Sequence, residues 1–105
     1  MQSPLIIHND ESNEYFFEEG CYILEVSNSE KDAGLSVARA RLTPNTETRL
    51  HRLNKTIERY IIVSGNGVVI IPENCPQMIR NTGDDDLIFL VVCTPRFLPE
   101  NYYDV

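Results

Sequence analysis

The residues able to do chemistry gather in one stretch, His51 to Asn81. It opens as HRLNKTIERYIIVSG, His51 to Gly65, and closes as IPENCPQMIRN, Ile71 to Asn81. The imidazole of His51 is followed seven residues later by the carboxylate of Glu58, and a β-rich run then ends in glycine. Gln77 and Asn81 follow a turn framed by Pro72 and Pro76. These few polar side chains sit among apolar neighbours. Such a set suits a pocket, where convergent polar groups fix a guest. The same residues could instead satisfy one another inside a closed interior, because buried polar groups need partners. Both readings stay open at this level.

The elements that must position them are strands. Cys21–Val26 is a strand, and the polar run Ser27–Gly34 is a loop. Leu35–Leu42 alternates, with Val37, Arg39 and Arg41 on one face and Ala38, Ala40 and Leu42 on the other. Two arginines on one face suit solvent, or else a cavity or interface. After a turn at Pro44–Asn45, Thr48–Leu53 alternates so that Arg49, His51 and Leu53 share a face. Ile57–Val63 sets Glu58, Tyr60 and Ile62 against Ile57, Arg59, Ile61 and Val63. Ser64–Gly67 is a hairpin signal. Val68–Ile71, the run Gln77–Asn81 and Leu87–Cys93 follow, and the tail after Cys93 is extended. Short strands, frequent turns and no helical periodicity predict an all-β sandwich or barrel.

The stretch resembles the two signature motifs of the cupin superfamily. Cupins are jelly-roll barrels, double-stranded β-helices with a metal site inside. Their first motif carries His-x-His and a glutamate before a glycine; their second carries a histidine four residues ahead of an asparagine. The spacing matches here, with Asn45 where the family usually has glycine. The resemblance implies that His51 and Glu58 keep two metal ligands, that Leu53 stands where the second histidine would be, and that Gln77 stands where the third would be. Leucine cannot ligate, and glutamine ligates only weakly through its carbonyl oxygen. The implied cofactor is one divalent transition metal, Fe, Mn, Ni, Zn or Cu. It would be held by His51, Glu58 and Gln77 in a pocket lined by Arg49, Leu53, Tyr60 and Ile79. His8, Tyr60, a cysteine or water could supplement the set. A 2-His-1-carboxylate triad is missing, which argues against a non-haem iron oxygenase. An oxygenase or isomerase type of enzyme, a small-molecule binding or sensing module and a bare structural domain stay open, because one fold hosts many chemistries. Between Gly65 and Pro72 there are six residues, too few for the further hairpin that cupins usually carry. Either that hairpin is deleted or a loop after Gly67 is missing from the sequence.

Length and charge bound the rest. A chain of 105 residues predicts one domain. Met1–Gly20 reads as an acidic arm, with Tyr15, Phe16 and Phe17 as its docking point on the barrel or on a partner. Residues 21–105 read as the barrel. A formal charge of −7 argues against nucleic acid or an anionic membrane as partner. Cys21, Cys75 and Cys93 form no CxxC pair, and no signal peptide or membrane-length apolar run stands out. A cytoplasmic protein with reduced thiols is the simplest reading. Leu87–Val92 and Ile57–Val63 are apolar on both faces, whereas a barrel wall needs only one. Something must cover the outer face, and a second copy in a two-fold homodimer is the expectation.

Overall fold

A computed structural model of the chain describes residues 3–17, 20–64 and 68–105. Eight strands run in chain order as β1 (Tyr15–Phe17), β2 (Cys21–Ser27), β3 (Ser36–Leu42), β4 (His51–Leu53), β5 (Ile57–Ile62), β6 (Val68–Ile71), β7 (Leu87–Thr94) and β8 (Tyr102–Asp104). The helical elements among these residues are three single-turn 3-10 segments. One sheet has six strands in the order β1-β2-β3-β7-β5-β6, every neighbouring pair antiparallel. The other pairs β4 with β8 and is widened by bridges from Gln77 to His51 and from Arg80 to Glu47. The two sheets face each other in an all-β arrangement, as the alternation predicted, and it is the jelly roll that the cupin resemblance implied.

The core follows the period-2 pattern. Ala40, Leu42, Tyr60, Ile71 and Phe89 are buried together, with Cys21 and Ile23 beside them. The central strand β7 sends Phe89 and Cys93 inward, and Ile88, Leu90 and Val92 stay half-buried outside. Ala40 of β3 is the neighbour of Phe89 across the strand pair, a small residue beside a large one on the buried face of the same sheet. Asn81 is a second anchor. Its side-chain amide donates to the carbonyls of Leu42 and Asp85, and its oxygen accepts from the Gly83 amide. Asn45 adopts a positive φ of 62°, the conformation for which asparagine is the best substitute for glycine.

Three features depart from the sequence pattern. Tyr15–Phe17 is the edge strand of the larger sheet, although three residues are too few to show an alternation. Its turn into β2 needs Gly20, whose φ is +108° and whose missing Cβ would lie 2.9 Å from the Glu47 carbonyl. Gln77–Asn81 makes isolated bridges instead of a strand. Thr48–Leu53 shrinks to β4 because its pairing slips. Glu47 faces Arg80 and His51 faces Gln77, so four steps on one side oppose three on the other. That extra residue is a β-bulge, and it reverses which side chains point inward. Of the hairpin signal Ser64–Gly67, residues 65–67 lie outside the described residues, as does the question of a further loop there. The flanking strands pair directly, Glu58 with Ile71 through Ile61 with Val68.

Candidate functional site

Inside the barrel lies a cavity of about 60 Å³, larger than one water needs. His51 and Leu53 reach it from β4, Glu58 from β5 and Cys93 from β7. His51 is buried, and its Nδ1 lies 2.6 Å from the Arg49 carbonyl oxygen. A carbonyl only accepts, so Nδ1 carries a hydrogen, and Nε2 is the ring nitrogen through which the side chain would ligate. A backbone carbonyl on one ring nitrogen is the usual support for a histidine whose other nitrogen ligates. The ring also stacks on Tyr102 of β8, with centroids 5.2 Å apart and planes 18° from parallel.

Glu58 is buried as well, and its neighbours are specific. Gln77 donates from its side-chain nitrogen to Glu58 Oε1, and the Tyr60 hydroxyl donates to the Gln77 oxygen. A directional chain therefore runs from phenol through amide to carboxylate. Tyr60 packs against Phe89 at 4.7 Å between centroids. Cys93 stands opposite Glu58 in the sheet. Burial, aided by the Glu58 charge, pushes its thiol up to about 12, so while buried it stays protonated at neutral pH.

The residues singled out by sequence divide between two spaces. His51, Leu53 and Glu58 line the cavity. Tyr60, Gln77 and Ile79 line a more open groove of about 450 Å³ on the other side, with Leu50, Ile70 and Met78. The hydrogen bond from Gln77 to Glu58 joins the two spaces. Arg49 is a correction: it belongs to neither. The bulge at 47–51 turns it outward, where it is half-exposed and its guanidinium lies 2.6 Å from Asp104. His8 lies far from the site chemistry, in a surface groove beside Lys31. Among the described residues, no three His, Cys, Asp or Glu side chains gather as a metal cluster.

Sequence reasoning missed the aromatic wall of the cavity. Tyr15 and Phe17 come from β1, Phe97 from the segment after β7, and Tyr102 from β8. Phe17 meets Tyr102 edge to face at 5.4 Å. The YFF run in an acidic segment was the one available signal, and it does dock on its own barrel. Tyr102 had none, because it reaches His51 only through the pairing of β8 with β4. The strand-face arginines also have a definite role. Arg39 pairs with Glu11 and Glu14, and Arg41 pairs with Glu14 and Asp86. Hydrogen bonds from Arg41 above all hold the Glu14 carboxyl below the usual carboxylate range. Its contribution to stability is present above that range and lost only as pH falls through the lowered value.

Comparison with solved structures now settles the fold. A predicted oxalate decarboxylase from Thermotoga maritima superposes with a TM-score of 0.71 at 18% identity, covering 85% of this chain and 99% of that one. A cupin 2 conserved barrel domain protein from Salinispora arenicola gives 0.71 at 14% identity, with 89% and 90% covered. The chain has the cupin fold. The oxalate decarboxylase of Lactobacillus farciminis, solved as a formate complex, gives 0.74 at 22% identity; the match covers 89% of this chain but 33% of that enzyme. No family model matches the chain, and no curated protein sequence matches it. Identities this low speak for the cupin barrel and not for any one cupin activity. No helix among the described residues is long and apolar enough to cross a membrane.

Proposed function

We propose that this cupin barrel is a binding module whose interior cavity takes a small cationic guest, a divalent transition metal held weakly by His51 and Glu58. The observation that carries this reading is the lining. The imidazole of His51 and the carboxylate of Glu58 share one cavity, and among the described residues no lysine or arginine lines it. Such a lining favours a cation and disfavours a free anion. The donor set does not fit a tightly held metal. Leu53 supplies no donor, and Gln77 has its nitrogen on Glu58 and its oxygen on Tyr60. Two protein ligands with water in the other positions make a labile site. Tyr60 and Gln77 also line the adjoining groove, where a small molecule would meet them. Reduced thiols at Cys21, Cys75 and Cys93 support a cytoplasmic setting.

The test is calorimetric titration of chelator-treated protein with Mn(II) and Zn(II), alongside elemental analysis of the protein as purified. The parent chain should bind one ion reversibly, and His51→Ala should lose at least about tenfold in affinity. Equal binding by parent and variant would reject His51 as a ligand. A parent that binds neither ion would reject the cationic guest.

A second copy of the chain is the partner that the exposed surface supports. Ile57, Ile61 and Val63 are exposed on the outer side of β5, and Ile70 beside them on β6 is 66% exposed. The N-terminal strand lies at the opposite edge of that sheet and cannot cover them. Contiguous apolar surface of this kind marks an interface. Ile61→Glu or Leu90→Glu should therefore yield a monomer or an aggregate. Sedimentation of the unaltered chain at micromolar concentration as a single 12.0 kDa species would exclude the dimer.

A further inference from the structure

The chain's own N-terminal segment supplies part of the cavity wall, and a cluster of ion pairs joins the β1–β2 ladder and the rings of Phe16 and Phe17 in holding it there. We propose that residues 10–17 form a charge-latched lid, which opens by releasing Glu14 from Arg39 and Arg41 and so admits the guest to the cavity.

Apolar contact anchors this segment in part, through Phe17 on the core and Phe16 on Tyr22. β1 is three residues long, pairs only with β2, and leaves Tyr15 and Phe16 45% and 61% exposed. Tyr15 and Phe17 turn toward the cavity, with Phe17 edge to face on Tyr102, and Phe16 lies against Tyr22. A short edge strand with so little buried surface opens at low cost.

Charge supplies what burial lacks. Glu14 sits at the centre, 2.7 Å from Arg41 Nη2 and 3.1 Å from Arg39 Nη2, and its side chain is only 15% exposed. Arg41 is itself braced by Asp86 at 3.1 Å and lies over the Tyr22 ring. Glu11 adds a second contact to Arg39, but at 73% exposure it is largely screened. Arg39 Nε is buried without an acceptor, which lowers the net worth of that arginine's pairings. Glu14 is therefore the residue on which closure depends.

Release of the strand has a direct consequence at the site. Tyr15 and Phe17 leave the cavity wall, and Tyr102 loses the ring that supports it against His51. Access to the cavity and the orientation of His51 are thus tied to the same ionic contact. A latch built from partly exposed ion pairs weakens as salt rises.

This inference rests on the cavity being the binding site, but its test needs no ligand. Cys93 lies in the cavity wall, 1% exposed, and serves as an internal reporter. The full chain is treated with iodoacetamide at low and at molar sodium chloride, and labelling of each cysteine is followed by peptide mass spectrometry. Cys75, which is exposed, provides the reference rate. High salt should speed Cys93 labelling by about fivefold, with Cys75 unchanged. Glu14→Gln at low salt should match that acceleration and abolish the salt effect. Glu100→Gln, the same charge change away from the latch, should leave the rate unaltered. A Cys93 rate indifferent to salt in the unaltered chain would overturn the lid whether or not the variant folds. So would acceleration that moves in step with amide exchange of β7, because that is opening of the whole barrel. Cation binding with a static Cys93 rejects the lid alone. A salt-responsive Cys93 without cation binding upholds the lid and rejects the cationic guest.

Discussion

Leu53→His combined with Gln77→His should raise the affinity for Zn(II) or Mn(II) by at least about a hundredfold, since each added ligand is worth about tenfold or more. The geometry favours both positions. Leu53 is two residues from His51 on β4, buried, and in the wall of the same cavity. Gln77 is bridged to His51 through the backbone and already touches Glu58. Imidazoles at both positions would join His51 and Glu58 in a four-ligand set. The change carries a cost in the apo protein. Leu53 loses apolar packing, and Tyr60 loses the amide oxygen it donates to. The double variant should therefore melt below the parent without metal and above it with saturating metal, as ligand linkage requires. Each single variant should fall between. If the double variant binds no tighter than the parent, the four positions do not converge, and the reading of the cavity as a depleted metal site fails.

Phe89→Ala should cost about 3–5 kcal/mol, the usual loss for a buried aromatic truncated in a core. A domain of this size has about 5–15 kcal/mol in total, so the loss takes a large share of its stability. Phe89 is buried at the middle of the central strand, opposite Ala40 on one side and Ile62 on the other. Ala40 is too small to fill the void, and β3 and β5 are both held in register, so little collapse is available. Tm should fall by about 20 °C, from about 4–8 °C per kcal/mol. The effect reaches the site, because Tyr60 loses the ring it rests on and with it the alignment toward Gln77. Ile70→Ala, on a side chain that is mostly exposed, should stay within about 0.5 kcal/mol and serves as the control. A Phe89→Ala Tm within a few degrees of the parent would mean that the core closes around the gap.

The strands of this barrel were legible because their signal is local. Alternation in ERYII and LSVARARL assigns each side chain a face from its neighbours alone, and Glu58, Tyr60, Ala40 and Leu42 all lie where it puts them. His51 and Glu58, which the cupin resemblance put together, both line one cavity. Alternation failed where pairing overrides it. The bulge opposite Gln77–Arg80 sends Arg49 out to Asp104, and a bulge is a property of two strands together, invisible in either one. Gln77 could be read as a weak ligand, but only its neighbours reveal that both ends of its amide are engaged. The lid required the most distant contacts. Glu14 meets Arg41 across 27 positions, and Phe17 meets Tyr102 across 85, counting along the chain. No local pattern encodes such contacts. They arise when antiparallel pairing brings β1 and β8 together in one wall of the cavity, so composition and periodicity determine the barrel while tertiary pairing decides what lines it.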